Sequence, residues 1–112
     1  MTAEIDVDKF QSVDIRTGRV IEASPFPEAR KPSYRLLIDF GGIGVKKSSA
    51  QITALYRPED LVGRNVVAVV NLKPRQIANF VSEVLVLGVP TEDGKVVLLH
   101  PDQDVEPGLR SA

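Results

Sequence analysis

At 112 residues with no cysteine, the chain has the size of one domain, and it has no means of making disulfides, thiolate metal sites or cysteine nucleophiles. Its formal charge of −1 conceals a basic middle between acidic ends: residues 16–75 carry eleven Lys/Arg against five acids, residues 1–15 one against four, and residues 76–112 two against six. Such a middle suits an anionic or mixed partner, no apolar run reaches the roughly 20 residues of a membrane span, and "MTAEIDVDKF" lacks a leader pattern, so a cytoplasmic protein without membrane insertion is expected.

In chain order, "DVDKFQS" allows one helical turn with Asp6 or Asp8 placed to cap it. "IRTGRVIEA" predicts a first strand, interrupted at Gly18 by a bulge or sharp bend. Three prolines within eight residues forbid regular structure in "SPFPEARKPS", so residues 24–33 form a loop. "YRLLIDF" places Tyr34, Leu36, Ile38 and Phe40 on one strand face and Arg35 and Asp39 on the other, and "GGIG" is a tight turn. In "GVKKSSAQIT", Val45 is apolar at an odd position while Ala50 and Ile52 are apolar at even ones. That break in period predicts a bulge or kink across Lys46–Ser49. "TALYRPED" predicts a turn or short helix. "NVVAVVNL" is apolar on both faces, and "EVLVLGV" and "KVVLL" repeat this around "PTEDG", whose Asp-Gly suits a primed hairpin turn.

Short strands, one brief helix before the fourth and many Gly/Pro turns predict a small closed or partly closed barrel. Apolar residues on both faces of several strands exceed what one such interior absorbs. The terminal segments or a second subunit must cover the rest, and a homodimer is the expectation.

Five blocks carry a further signal: "VDIRTGRV", "FPEARKPSYRLLIDFG", "GVKKSSAQIT", "LVGRNVVAVVNLKPRQIA" and "SEVLVLG", in order and nearly spanning the chain. Together they resemble the tRNA-binding-domain superfamily of oligonucleotide/oligosaccharide-binding (OB) barrels, and within it the CsaA-like export-related chaperones. The resemblance implies an all-β, five-stranded OB-fold Greek-key barrel with short helices and N- and C-terminal extensions. It implies one domain over residues 1–112, its barrel core roughly 13–90, with the extensions engaged in dimerisation. For CsaA-like members it implies binding of unfolded or precursor polypeptides before export, with the export machinery as a further partner. For relatives beside tRNA synthetases it implies tRNA recognition by shape. Those relatives read Gly-x-x-Ser-x-Gly-Met where this chain reads "NFVSEVL". Ser82 is kept, Asn79 and Val84 replace the glycines, and Leu85 replaces the methionine. Side chains in place of glycine are expected to narrow a surface that a nucleic-acid backbone approaches closely.

A site for extended polypeptide needs apolar pockets for side chains and polar groups for backbone amides. Phe26, Tyr34 and Phe80 are the candidate lining, with Asn79 and Ser82 beside them. Arg30, Lys31, Arg75 and Gln76 can ring it with donors, and Ser48, Ser49 and Gln51 can bond a strand's main chain. Tyr34 shares a face with Phe40 and is equally a core residue, and Ser48 and Ser49 can equally satisfy their own backbone. In the tRNA reading, Arg30, Lys31, Lys46, Lys47, Lys73 and Arg75 contact phosphates. With no Trp, two Tyr and four Phe, stacking platforms for single strands are scarce, but shape recognition of folded tRNA does not need them. Catalysis is not expected. The single histidine, His100, sits in "LLHPD" at a strand end, and no nucleophile motif, metal-ligand spacing or phosphate-binding glycine loop is present, so neither cofactor nor metal is expected.

Overall fold

The computed structural model describes residues 2–112. After one helical turn, α1 (Val7–Gln11), come β1 (Ile15–Pro25), β2 (Tyr34–Asp39), a 3-10 turn at Gly41–Ile43, β3 (Val45–Ala50), α2 (Pro58–Leu61) and β4 (Asn65–Val69). The chain continues through β5 (Arg75–Ile77), β6 (Phe80–Ser82), β7 (Leu85–Val86), β8 (Gly88–Pro90) and β9 (Val96–Leu98). Asp6 stands at the start of α1 but contributes no side-chain cap; its carbonyl accepts from Lys9 N–H at 3.0 Å. Five strands form one antiparallel sheet in the order β3-β2-β1-β4-β7. The sheet curls until its edges meet, giving the expected all-β OB-type barrel. β5–β6 and β8–β9 are separate hairpins. The β8–β9 turn is not of the expected primed kind, because only Gly94 within it has positive φ (84°).

The curl follows from the length of β1. Its second half pairs with β2, from Arg19 opposite Asp39 to Pro25 opposite Tyr34, and its first half pairs with β4, from Ile15 opposite Val69 to Arg19 opposite Asn65. Register with β2 slips between Val20 and Glu22, a bulge that increases local twist. The predicted irregularity therefore exists, but at Ile21 rather than Gly18. Gly18 is required by packing instead. A Cβ there would lie 2.7 Å from Ile38 Cγ2 and 2.7 Å from a ring carbon of Phe40, and both side chains are fully buried.

Val20, Leu36, Ile38, Phe40, Ile52, Val66, Ala68, Val84 and Leu98 fill the barrel, and Leu61 of α2 joins them. At the edge of this core, Tyr34 donates its hydroxyl to Tyr56 C=O (2.7 Å), and Tyr56 Oη accepts from Leu98 N–H (2.9 Å).

The barrel closes through a short polar seam. Glu83 and Val84 both donate backbone N–H to Lys47 C=O, at 2.8 and 3.3 Å, and Lys47 N–H donates to the Glu83 carboxylate at 2.9 Å. The fully buried Ser48 hydroxyl donates to Val84 C=O (3.0 Å), and Ser49 N–H donates to Ser82 Oγ (3.0 Å). β3 stays in unbroken register with β2, from Ala50 opposite Tyr34 to Val45 opposite Asp39, so the predicted kink across Lys46–Ser49 is absent. The alternation was intact all along. Ser48 faces inward with Ala50 and Ile52, while Val45 faces solvent, 49% exposed. A serine in a core position imitates a change of phase.

The C-terminal extension lies along its own β1. Thr17 N–H donates to Leu109 C=O (2.9 Å), Gly108 N–H to Thr17 C=O (2.7 Å) and Ser111 N–H to Ile15 C=O (2.8 Å). These bonds cover the edge of β1 that β2 does not reach. Arg16 clamps the arrangement, bonding Asp14 at 2.7 Å and Gly108 C=O at 3.0 Å, while Arg110 lies 3.6 Å from the same carboxylate. The main chain of the extension is thus engaged with its own barrel.

Two outcomes test this account. Ser48→Ala leaves Val84 C=O with a 3.5 Å contact from Ser82 and should cost about 1–2 kcal/mol, read as a lower urea midpoint at constant m-value. Arg16, chiefly through its hydrogen bond, holds the Asp14 carboxyl below the usual carboxylate range. A depressed folded pKa gives stability that is present above the ordinary carboxylate range and lost as pH falls through the folded value. Wild-type and Asp14→Asn proteins should therefore differ in urea midpoint at neutral pH, and the difference should shrink as pH falls below the ordinary carboxylate range.

Candidate functional site

A cleft of about 590 Å³ opens beside the seam, between residues 28–33 of the loop, Ser49 and Gln51 at the end of β3, and Arg75–Ala78 of the β5–β6 hairpin. The loop is held by Phe26 N–H to Ser33 C=O (3.1 Å), Ala29 N–H to Phe26 C=O (3.2 Å) and Ser33 Oγ to Lys31 C=O (2.9 Å). Three prolines limit its alternatives. Arg30, Lys31, Arg75 and Glu28 are the charged residues of the cleft lining. Among the described residues, none of these three cations is in an ion pair.

Behind the cleft, the loop and the hairpin touch through Phe26 and Phe80, whose rings meet edge to face with centroids 5.4 Å apart. Arg35 lies over the Phe26 ring and Lys47 over the Phe80 ring, each 5.4 Å from the centroid. Cations over ring faces and an edge-to-face pair are mutually compatible, so this stack fixes the spacing of the two walls. On its outer side a smaller hollow of about 230 Å³ is lined by Glu22, Ser24, Arg35, Lys47 and Phe80.

Of the residues nominated from sequence, Arg30, Lys31, Ser49, Gln51, Arg75 and Gln76 meet in the main cleft. Lys73, Ser49, Arg75 and Ser82 border an adjoining recess of about 110 Å³. Tyr34, with Phe26 and Arg30, lines a shallow hollow of about 340 Å³ on the far side of the loop. Other nominated residues lie outside the main cleft. Phe26 is 3% exposed and packs against Phe80, so it offers little surface to the hollow it borders. Ser48 is sealed in the barrel seam, and Ser82 is buried there with its oxygen bonded to Ser49 N–H. Lys46, opposite Ile38 in the ladder, and Asn79, exposed at the hairpin turn, lie outside these hollows. The expected effect of Val84 also fails: its side chain is in the core, so it does not narrow any surface.

Glu28, Ala29, Ser33, Ile77 and Ala78 complete the cleft without having been anticipated. Only Glu28 had a visible signal, as the lone acid in a basic loop. Arg35 joins the stack because the alternation of β2 turns it outward. Among the described residues, no group of three or more His, Asp or Glu is placed to hold a metal ion, and no helix is long and apolar enough to cross a membrane.

A closed five-stranded barrel carrying a basic cleft beside its seam defines a ligand-binding OB module. Comparison with known proteins gives the family. Residues 15–110 match the family described as "Putative tRNA binding domain". The crystal structure of chaperone CsaA from Bacillus anthracis superposes with a TM-score of 0.93 at 50% identity, covering 98% of this chain and 100% of that one. CsaA chaperone protein from Picrophilus torridus gives 0.91 at 53% identity, over 97% and 100% of the two chains. Methionine–tRNA ligase of Bdellovibrio bacteriovorus is 42% identical over 108 residues, 96% of this chain but 16% of the ligase. The ligase of Methanocaldococcus jannaschii is 34% identical over 107 residues, again 16% of its length, so the chain spans about one sixth of these curated relatives. The chain belongs to the tRNA-binding-domain family, as a CsaA-like member.

The hairpin turn in the cleft wall carries a local strain. Ala78 has φ of 51°, the only positive value at a non-glycine among the described residues, and its carbonyl accepts from Gln76 Nε2 at 2.7 Å. A side chain in that region costs roughly 1–2 kcal/mol, part of which glycine returns through its more disordered unfolded state. Ala78→Gly should therefore raise the urea midpoint slightly, by up to about 1 kcal/mol.

Proposed function

We propose that this protein is a chaperone that holds extended segments of unfolded or precursor polypeptides in the cleft between the loop and the β5–β6 hairpin. The observation that carries the reading is the mixed lining of that cleft. Ala29, Ile77 and Ala78 offer apolar contact, Ser49, Gln51 and Gln76 offer neutral hydrogen-bonding groups, and the cations stand around them. Such a surface accepts varied sequences, because affinity comes from main-chain bonds and shallow contacts. Support also comes from relatives: the CsaA structures are 50% and 53% identical and match this chain end to end. A role connected with export, in the cytoplasm, extends the same reading. So does a homodimer, supported by uncovered apolar side chains on α1 (Val7, 66% exposed) and on the β8–β9 hairpin (Val89, 51%).

The second reading is tRNA binding, favoured by the family's description and by the cations Arg30, Lys31 and Arg75 of the cleft. The two separate in one titration of labelled unfolded polypeptide and labelled tRNA at low and moderate salt. Phosphate-led binding falls about 10³-fold or more over a few-fold rise in salt when several phosphates are neutralised, whereas contacts to apolar and main-chain groups persist. Polypeptide binding that survives salt supports the chaperone; tRNA binding alone, with a steep salt slope, supports the alternative. Arg75→Ala should weaken the bound polypeptide by about three- to ten-fold, and its stability should stay within about 0.5 kcal/mol of wild type. Unchanged affinity would move the site elsewhere.

A further inference from the structure

Two strands that line the cleft, β3 at its end and β5, each carry unused main-chain groups. β3 alternates the direction of its peptide groups, as any antiparallel strand does. Lys47 and Ser49 point away from β2, since Lys47 bonds both ways to Glu83 across the seam and Ser49 N–H bonds to Ser82 Oγ. The seam ends there. Among the described residues, nothing donates to Ser49 C=O, and no backbone group of Gln51 is paired. In the hairpin, Ile77 and Phe80 flank the two-residue turn Ala78–Asn79, with Gln76 opposite Val81 and Arg75 opposite Ser82. A two-residue turn makes its flanking pair the hydrogen-bonded one, so Gln76 is in the next, non-hydrogen-bonded pair. Its N–H and C=O therefore aim away from β6, along the free edge of β5.

We propose that the occupant enters as an added strand. An extended polypeptide lies between these edges, pairing with Gln76 N–H and C=O on one side and donating to Ser49 C=O on the other, and its binding segment carries an acidic residue. Strand addition satisfies edges that are otherwise left to water, and it reads almost no sequence, because main-chain groups are common to every segment. The acidic preference comes from charge. Arg30, Lys31 and Arg75 line the cleft against one acid, Glu28, and none of the three has a carboxylate partner among the described residues. A carboxylate held there meets a net positive wall, and charge-assisted bonds to it are stronger than neutral ones. The inference rests on the chaperone reading and specifies how that site recognises its ligand.

The test uses the unaltered protein and fluorescence anisotropy with labelled twelve-residue unstructured peptides. The parent peptide mixes leucine and serine around one central glutamate. A second is identical but N-methylated at alternate residues, which removes main-chain donors without changing side chains, and a third replaces the glutamate by glutamine. Strand addition predicts about ten-fold or greater loss for the N-methylated peptide, and a several-fold loss for the glutamine peptide that shrinks as salt is raised. Equal affinity of the parent and N-methylated peptides overturns strand addition while leaving polypeptide binding in place. Equal affinity of the glutamate and glutamine peptides overturns the acidic preference. If the parent peptide fails to bind, the inference and the chaperone reading fall together, and tRNA bound in the same buffer would then identify the cleft as a nucleic-acid surface.

Discussion

Closing the barrel depends on the main chain of one residue, Lys47. Lys47 C=O accepts the N–H groups of both Glu83 and Val84, and Lys47 N–H returns to the Glu83 carboxylate. Five strands could otherwise stop as an open curled sheet, with two edges offering main-chain groups to other chains. The edge partner available to β3 is short, since β7 is only Leu85–Val86. Side chains therefore take over part of the ladder: the Ser48 and Ser82 oxygens and the Glu83 carboxylate do what backbone groups do elsewhere. Burying them is acceptable because each has a partner. Had Ser48 lost its acceptor, the same hydroxyl would be a cost in the core.

The position of the cleft follows from the closure. The chain leaves β4, turns through the β5–β6 hairpin and only then reaches the seam, so the hairpin must project beside β3. Opposite it stands the loop between β1 and β2, brought there because the second half of β1 pairs with β2. The Phe26–Phe80 contact and the two cations over the rings set the distance between these walls. Neither the loop nor the hairpin belongs to the five-stranded sheet, whereas β3, which lines the cleft between them, does. The barrel thus carries two lateral elements, and the strained Ala78 backbone lies at the tip of one of them.

The C-terminal extension shows the same economy of edges. β1 is flanked by β4 over its first half and by β2 over its second, which leaves a stretch near Ile15–Thr17 open on one side. Residues 108–111 occupy it, and Arg16, Asp14 and Arg110 fasten the join. Gly108, at φ of 90°, lies so close to Phe40 C=O that no side chain fits there. The extension completes the fold of a single protomer before any association between protomers is considered.

The local parts of this design were legible in the residues. The inward face of β2, the two-sided β4, the irregular loop and the cations of the loop and hairpin all follow from a two-residue period, from proline and from charge, which depend only on neighbours in sequence. The seam was not legible. Ser48 reads as polar and exposed until Val84, far along the chain, supplies its acceptor, and that misreading produced a kink where the strand is regular. Gly18 likewise reads as a breaker, because only the packing of Ile38 and Phe40 reveals that it must be small. The cleft joins residues near 30 with residues near 75, and no pattern in either segment announces the other. Sequence alone determined the first four strands of the sheet and which segments carry charge, but not the β5–β6 hairpin. Tertiary structure decided which polar groups are buried, which edges stay open and which cations share a cleft, because those outcomes depend on contacts between distant segments.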